Sequence, residues 1–240
     1  MYKNTEILYK RILLKLSGEF LQGANKFGID AKKILSIVNE IKFLVNCGIE
    51  IGIVVGGGNL FRGSELKKIG ISSVISDNIG MLSTIMNGLA IRDIMNKNNI
   101  NACLMSAVPI NGICMHYDWK KAMDYLSKKK VVIFVAGIGN TNFTTDTAAC
   151  LRGIEMHVDI VLKGTKVNGV YSCDPEINLD AKMYKKLTYQ EVLDRKLQVM
   201  DLVSIILAKD NNLPIRVFNI NKPGILYRII TGEKEGTLII

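Results

Sequence analysis

Histidine is almost missing from this chain. Only His116 and His157 are present and neither lies near a plausible nucleophile, which argues against a Ser-His-Asp or Cys-His device. Both read as surface or packing residues. The five cysteines, at 47, 103, 114, 150 and 173, form no C-x-x-C pair, and no His/Cys spacing suggests zinc. Reduced thiols in a cytosol are the expectation. No apolar run approaches the ~18 residues of a membrane span. Residues 1–10 carry Glu6 and no apolar segment, so no secretory signal is expected. Arginine is scarce, at seven of 31 basic residues. The net charge is +9, yet the lysines are scattered, Lys128-Lys129-Lys130 being the longest run, with no platform of aromatics and arginines for bases. A dedicated nucleic-acid partner is therefore not expected, and attraction of a phosphorylated small molecule accounts for the charge equally well. Two nucleotide signatures are missing as well. There is no G-x-x-x-x-G-K-[ST], and neither glycine turn completes G-x-G-x-x-G, because Phe61 and Asn142 stand where the third glycine belongs.

What the chain does have is glycine at the ends of apolar runs. Ile53-Val54-Val55 leads into Gly56-Gly57-Gly58-Asn59, and Val131 to Ala136 leads into Gly137-Ile138-Gly139-Asn140 and then Phe143-Thr144-Thr145-Asp146. Leu14-Lys15-Leu16-Ser17-Gly18 repeats the pattern with a lysine beside it. Glycine lets backbone approach a ligand and aim N–H groups at anionic oxygens, and a helix starting behind the turn adds its partial positive charge. Three such turns suggest strand ends sharing one phosphate-binding crevice.

At 240 residues the chain fits one large domain or two small ones. Strands are expected at 11–16, 49–55, 101–105, 131–136, 158–163, 215–219 and 237–240. Helices are expected at 30–46, 77–96, 118–128, 144–154, 189–194 and 200–211. Gly80 and Gly88 in the second helix favour close packing, against another subunit or within the core. This alternation predicts an α/β three-layer sandwich with a mainly parallel central sheet. Asn168-Gly169 between β-formers predicts an added hairpin over 166–171. One compact chain of two joined lobes, approximately 1–160 and 161–240, is the expected organisation.

The polar residues at the strand ends suit phosphoryl transfer, which needs positioning, phosphate donors and charge neutralisation more than covalent chemistry. Lys15, Arg62, Asp146, Lys163 and Asp174 supply that set. Each taken singly also has an ordinary structural reading; their recurrence at successive strand ends carries the inference.

From about Tyr9 to Leu238 the chain resembles the bacterial UMP kinases, which have the amino-acid-kinase fold. The matching segments include Lys15 to Glu19, Gly56 to Gly63, Met86 to Ala90, Phe143 to Ala149, Lys163 through Asp174-Pro175, and Gly232 to Thr237. The resemblance implies ATP + UMP → ADP + UDP with Mg²⁺, by a cytoplasmic homohexamer in pyrimidine nucleotide (CTP) biosynthesis. It places Lys15, Leu16, Ser17 and Gly18 on the ATP phosphates, with Gly58 and Arg62 on the phosphate side. Thr165, Tyr171 and Asp174 line the rest of the ATP site. Gly57 meets UMP, Asp77 its ribose, and Ile138, Gly139, Asn140, Thr141, Asn142, Phe143, Thr144 and Thr145 form the uridine loop. Lys15, Asp146 and Lys163 manage charge at the transferring phosphoryl group. No metal ligand is assigned beyond Asp174 as a candidate, with Mg²⁺ carried on phosphates. Relatives activated by GTP and inhibited by UTP bind GTP at a pocket that here would involve Gly23, Ala24, Asn25, Lys26, Phe27 and Gly28, with Arg92 and Trp119.

There are departures from the family pattern. Ile138, Thr141 and Asn142 replace the threonine, proline and phenylalanine that many relatives carry, and Gly164 and Asn168 replace alanine and aspartate. Asn96, Cys103 and Lys130 stand where enterobacterial relatives have a histidine and two arginines, so weak GTP activation is expected. Two competing readings are a carboxylate or carbamate kinase of the same fold, and a nucleotide-sensing or nucleic-acid-binding protein without catalysis.

Overall fold

A computed structural model describes residues 6–178 and 180–240. Part of the segment read for a secretory signal, residues 1–5, lies outside the described residues. Nine strands form one sheet among them: β1 (Arg11–Leu16), β2 (Glu50–Val55), β3 (Ala102–Ser106), β4 (Met115–His116), β5 (Val131–Val135), β6 (Ile160–Thr165), β7 (Lys186–Leu187), β8 (Ile215–Asn219) and β9 (Thr237–Ile239). Their order is β4-β3-β5-β2-β1-β6-β8-β9-β7. Every pair is parallel except β8–β9.

Among the described residues nine helices accompany them: α1 (Gly18–Leu21), α2 (Ala31–Asn46), α3 (Gly63–Lys68), α4 (Ser73–Lys97), α5 (Trp119–Ser127), α6 (Thr145–Glu155), α7 (Tyr189–Asp194), α8 (Leu202–Asp210) and α9 (Ile225–Ile230). Helices α2, α4 and α9 cover one face of the sheet, and α5 to α8 the other. The strands are apolar on both sides, as a sheet covered twice requires. Along β1, Ile12, Leu14 and Leu16 enter the core under α2 and α4, while Leu13 enters the opposite core. The expected three-layer sandwich is the observed one.

The expected hairpin over 166–171 is not formed. Neither Asn168 nor Gly169 adopts the positive φ that a tight Asn-Gly turn requires. Tyr171 instead makes an isolated antiparallel bridge with Met183, and the Val170 N–H donates to Thr237 Oγ1. Gly169 lies so close to Thr237 that a Cβ there would come within 2.5 Å of its Oγ1.

Helix α4 also qualifies an expectation. By length and composition alone it is apolar enough to cross a membrane. In this fold it is a core helix with buried Ser83, Thr84 and Asn87 facing inward. Gly88 lets α4 approach its own sheet, where an added Cβ would meet Leu104 and Val135 at 2.6 Å; nothing lies within 4 Å of the Cβ position at Gly80.

Candidate active site

Parallel pairing places Lys15 of β1 directly beside Lys163 of β6. Two ammonium groups at neighbouring strand ends would repel, and α6 supplies the carboxylate that separates them. Thr144 caps that helix, its Oγ1 accepting the Asp146 N–H at 3.0 Å. This puts a carboxylate in the first turn, where the helix dipole favours it. Asp146 Oδ1 lies 2.7 Å from Lys15 Nζ and Oδ2 lies 2.7 Å from Lys163 Nζ. The one carboxylate thus serves both ammonium groups, one oxygen to each. Lys163 also donates to the Val199 carbonyl.

Burial alone would push the Asp146 carboxyl upward, but Lys15 and Lys163 outweigh it and hold the pKa below the usual carboxylate value. Burial moves the Lys163 ammonium below the ordinary lysine value, with Asp146 opposing the shift and Lys15 adding to it.

Two cavities flank this triad. The larger, about 800 Å³, is lined by Lys15, Ser17, Lys163, Thr165, Tyr171 and Asp174, and across from them by residues 195–199. The smaller, about 390 Å³, is lined by Gly57, Gly58, Arg62, Asp77 and, from the last turn, Asn140, Phe143, Thr144 and Thr145. Glu19 lines both and pairs with Arg62 at 2.7 Å and Lys166 at 3.3 Å. The consecutive residues Thr144, Thr145 and Asp146 therefore run from the smaller cavity to the lysines of the larger.

Several sequence candidates lie differently. Gly58 and Arg62, expected on the ATP phosphates, line the smaller cavity. Leu16 is fully buried, and its carbonyl accepts the Gly56 N–H at 2.8 Å. Gly18 is the contact between two turns: a Cβ there would sit 2.6 Å from Gly58 N. Ile138 is partly buried against the core rather than in the cavity, and Gly139 packs on Ala107. Thr141 and Asn142 also lie outside the lining, although the Asn142 N–H donates to Asp77 Oδ2 at 2.7 Å. The glycine at 164 has a local reason, since a Cβ would meet Ile220 Cδ1 at 2.6 Å. The Asn168 amide accepts from Asn219 at 3.3 Å.

Arg92, Asn96 and Cys103 line a separate cavity of about 520 Å³, where burial pushes the Cys103 thiol up to about 11. Trp119 and the 23–28 loop do not line it. Asn25, Lys26 and Phe27 border another cavity, of about 320 Å³, and Lys130 lies over the Tyr125 ring.

Sequence reasoning missed Asp201. Its carboxylate accepts from Thr144 Oγ1 at 2.5 Å and from Thr147 Oγ1 at 2.9 Å, and it caps α8 through the Ser204 N–H. An aspartate before a helix reads as an ordinary cap, and nothing local reveals that it also holds the start of α6. The 195–199 wall was missed for a similar reason: it contributes the Val199 backbone carbonyl rather than a recognisable side chain.

A mainly parallel sheet with paired lysines at its strand ends, a carboxylate bridge and two adjoining cavities defines a phosphoryl-transfer enzyme. Residues 10–219 match the model of the amino acid kinase family. A uridylate kinase of Yersinia enterocolitica is 58% identical over 239 residues, covering 100% of this chain and 96% of that protein. A UMP kinase structure from Bacillus anthracis superposes with a TM-score of 0.93 at 42% identity, covering 96% of each chain. One from Ureaplasma parvum gives 0.90 at 35% identity, covering 96% of this chain and 98% of that one. The chain belongs to the amino acid kinase family, in its uridylate kinase branch.

Proposed function

We propose that the chain transfers the γ-phosphoryl group of ATP to UMP, giving ADP and UDP. The observation that carries this reading is the Lys15–Asp146–Lys163 triad, set beside one cavity of nucleotide size and joined through Thr144 and Thr145 to a second. ATP occupies the larger cavity, with Ser17 and Lys15 at its phosphates and Tyr171 against the adenine. UMP occupies the smaller, with Gly57 and Arg62 at its phosphate, Asp77 at the ribose and the 138–145 loop at the base through its cavity-lining residues Asn140, Phe143, Thr144 and Thr145. Lys15 and Lys163 stabilise the negative charge of the transferring group, and Asp146 holds both ammonium groups in place.

Among the described residues no three His, Cys, Asp or Glu side chains gather as a metal cage. This suits Mg²⁺, which is commonly held by one or two carboxylates together with substrate phosphates. Asp174, at the larger cavity, is the candidate protein ligand. When bound, the ion would neutralise phosphate charge.

The same reading places the enzyme in the cytoplasm, in pyrimidine nucleotide biosynthesis, as a homohexamer. The exposed apolar side chains of Val74, Ile75, Leu82 and Met86 on α4 support association between copies. UTP competes at the UMP site, and GTP activates weakly because Asn96 and Cys103 bring no cation to the Arg92 cavity.

The test is coupled ADP release with UMP, CMP and dUMP as acceptors. Backbone groups of the 138–145 loop that suit uracil are mismatched by cytosine, so kcat/KM for CMP should fall by up to ~10⁴-fold. Equal rates with CMP would replace this reading with a broader pyrimidine kinase.

A further inference from the structure

Both glycine-rich turns of the smaller cavity depend on the same stretch of α4. The second turn reverses through two successive left-handed residues, Ala136 at φ 60° and Gly137 at φ 58°. Alanine is strained there, and its N–H is turned into the buried interior. Thr84, 3% exposed, supplies the acceptor: Oγ1 takes the Ala136 N–H at 2.7 Å and donates to the Met81 carbonyl at 2.7 Å. The first turn is held one helical turn further along. Fully buried Asn87 donates to the Gly56 carbonyl at 2.8 Å and to Asn59 Oδ1 at 2.7 Å. Asn59 donates back to Asn87 Oδ1 at 3.0 Å and to the Gly28 carbonyl at 2.9 Å. Ser83, next to Thr84, packs on Gly57, whose Cβ position lies 2.7 Å from the Ser83 Cβ.

We propose that Thr84 and Asn87 are positioning residues for the acceptor nucleotide, fixing from one helix face the two turns that receive it. The proposal rests on the UMP kinase reading and deepens it. The turns leave the neighbouring strands β2 and β5, whose pairing runs only to Val54 and Phe134, so beyond that point the sheet no longer sets their separation. Residues three apart on a rigid helix form a fixed gauge between them. Thr84 borders the smaller cavity with its hydroxyl already engaged by Ala136 and Met81, and neither side chain lines the larger cavity, so their effect belongs to the acceptor side. Losing one anchor lets its turn drift, and misplacement of about 1 Å at a reacting phosphate can cost ~10²-fold in rate.

The experiment compares Thr84→Val and Thr84→Ser in steady-state kinetics. Valine keeps the shape and removes the acceptor of the Ala136 N–H; serine keeps the hydroxyl. Thr84→Val is expected to raise the KM for UMP by ~10-fold or more and lower kcat, with the KM for ATP changed by less than about twofold. Thr84→Ser should restore both parameters to within about threefold of the unmodified enzyme. A purely structural role would lower Tm in Thr84→Val without separating the two KM values, and that result, or unchanged kinetics in a folded variant, overturns the proposal. Should valine prevent folding, Thr84→Ala adds no atoms and is read in the same way. If the unmodified chain does not turn over UMP, the functional reading itself fails; if it does and the variants behave alike, only the positioning role fails.

Discussion

Asp146 holds two ammonium groups that would otherwise face each other across neighbouring strands. Asp146→Asn should lower kcat by roughly 10²-fold or more, and it should also destabilise the fold, because removing one member of a buried ion network costs about 3–5 kcal/mol. Urea titration and steady-state rates on the same preparation check both. Lys15→Ala separates the roles: kcat should fall by ~10²-fold while ATP still binds, and a near-normal kcat would remove Lys15 from the mechanism. The pH dependence follows from the two shifts. The folded pKa of Asp146 is depressed, so its contribution to stability is present above the unfolded value near 3.9 and is lost as pH falls through the folded value. Lys163 is lowered from about 10.5, so the unfolded chain binds more protons between its two pKa values and stability rises with pH there. Catalysis needs the ammonium form, so kcat should fall as pH rises through a pKa below the ordinary lysine value. Lys163→Arg, always protonated but differently shaped, should be slower and lack that alkaline fall. A pH–rate profile of both proteins reads this, and an unmoved alkaline limb would assign the titration elsewhere.

Long, periodic elements were legible from residue pattern. Asp30 caps α2 through the Lys32 N–H at 2.8 Å, and Gly48 follows at φ 81° as a stop. Helix α7 and strand β8 have the expected bounds, and α4 differs mainly in starting at Ser73, where Ser72 caps it. The six-residue α7, with its Thr188–Glu191 capping box, was legible, but short elements without such a cap were not. Helix α3 has six residues and no side-chain cap, too few to show a period, while α9 (Ile-Leu-Tyr-Arg-Ile-Ile) is apolar enough to read as a strand. The Asn168-Gly169 hairpin failed because Thr237, distant in sequence, takes the Val170 N–H that the local turn signal could not take into account. Gly88 shows the same limit, since sequence supports close packing without naming the partner. Gly88→Ala should cost about 1–3 kcal/mol by forcing α4 off Leu104 and Val135. Gly80→Ala should be nearly neutral to packing in the single chain, its Cβ having open space. Chemical denaturation of the two variants compares these sites, and equal losses would contradict the assignment of Gly88 to the sheet contact.

At the scale of the whole molecule, one doubly covered sheet brings residues from 15 to 217 to adjoining cavities. The strand-end lysines and Asp146 could be read as a set in advance, because the lysines sit at the ends of apolar runs and Asp146 opens the helix behind a glycine-rich turn. The cavity each residue joins could not, and Gly58 and Arg62 illustrate that, since both follow the first turn and the structure sets that turn over the smaller cavity. Regulation is the least direct consequence. With Cys103 and Asn96 at the Arg92 cavity, activation by GTP should be weak or need much higher concentrations, and several-fold activation at low micromolar GTP would contradict this. The central claim is the reaction itself, and the most direct measurement is product analysis of the purified chain with ATP, Mg²⁺ and one acceptor at a time: UMP, CMP, dUMP or acetylglutamate. The account predicts ADP and UDP formed one for one from UMP, a smaller rate with dUMP, CMP slower by up to ~10⁴-fold, and no phosphorylated acetylglutamate. Phosphorylation of acetylglutamate with UMP left untouched, or ATP bound with no acceptor turned over, would contradict it.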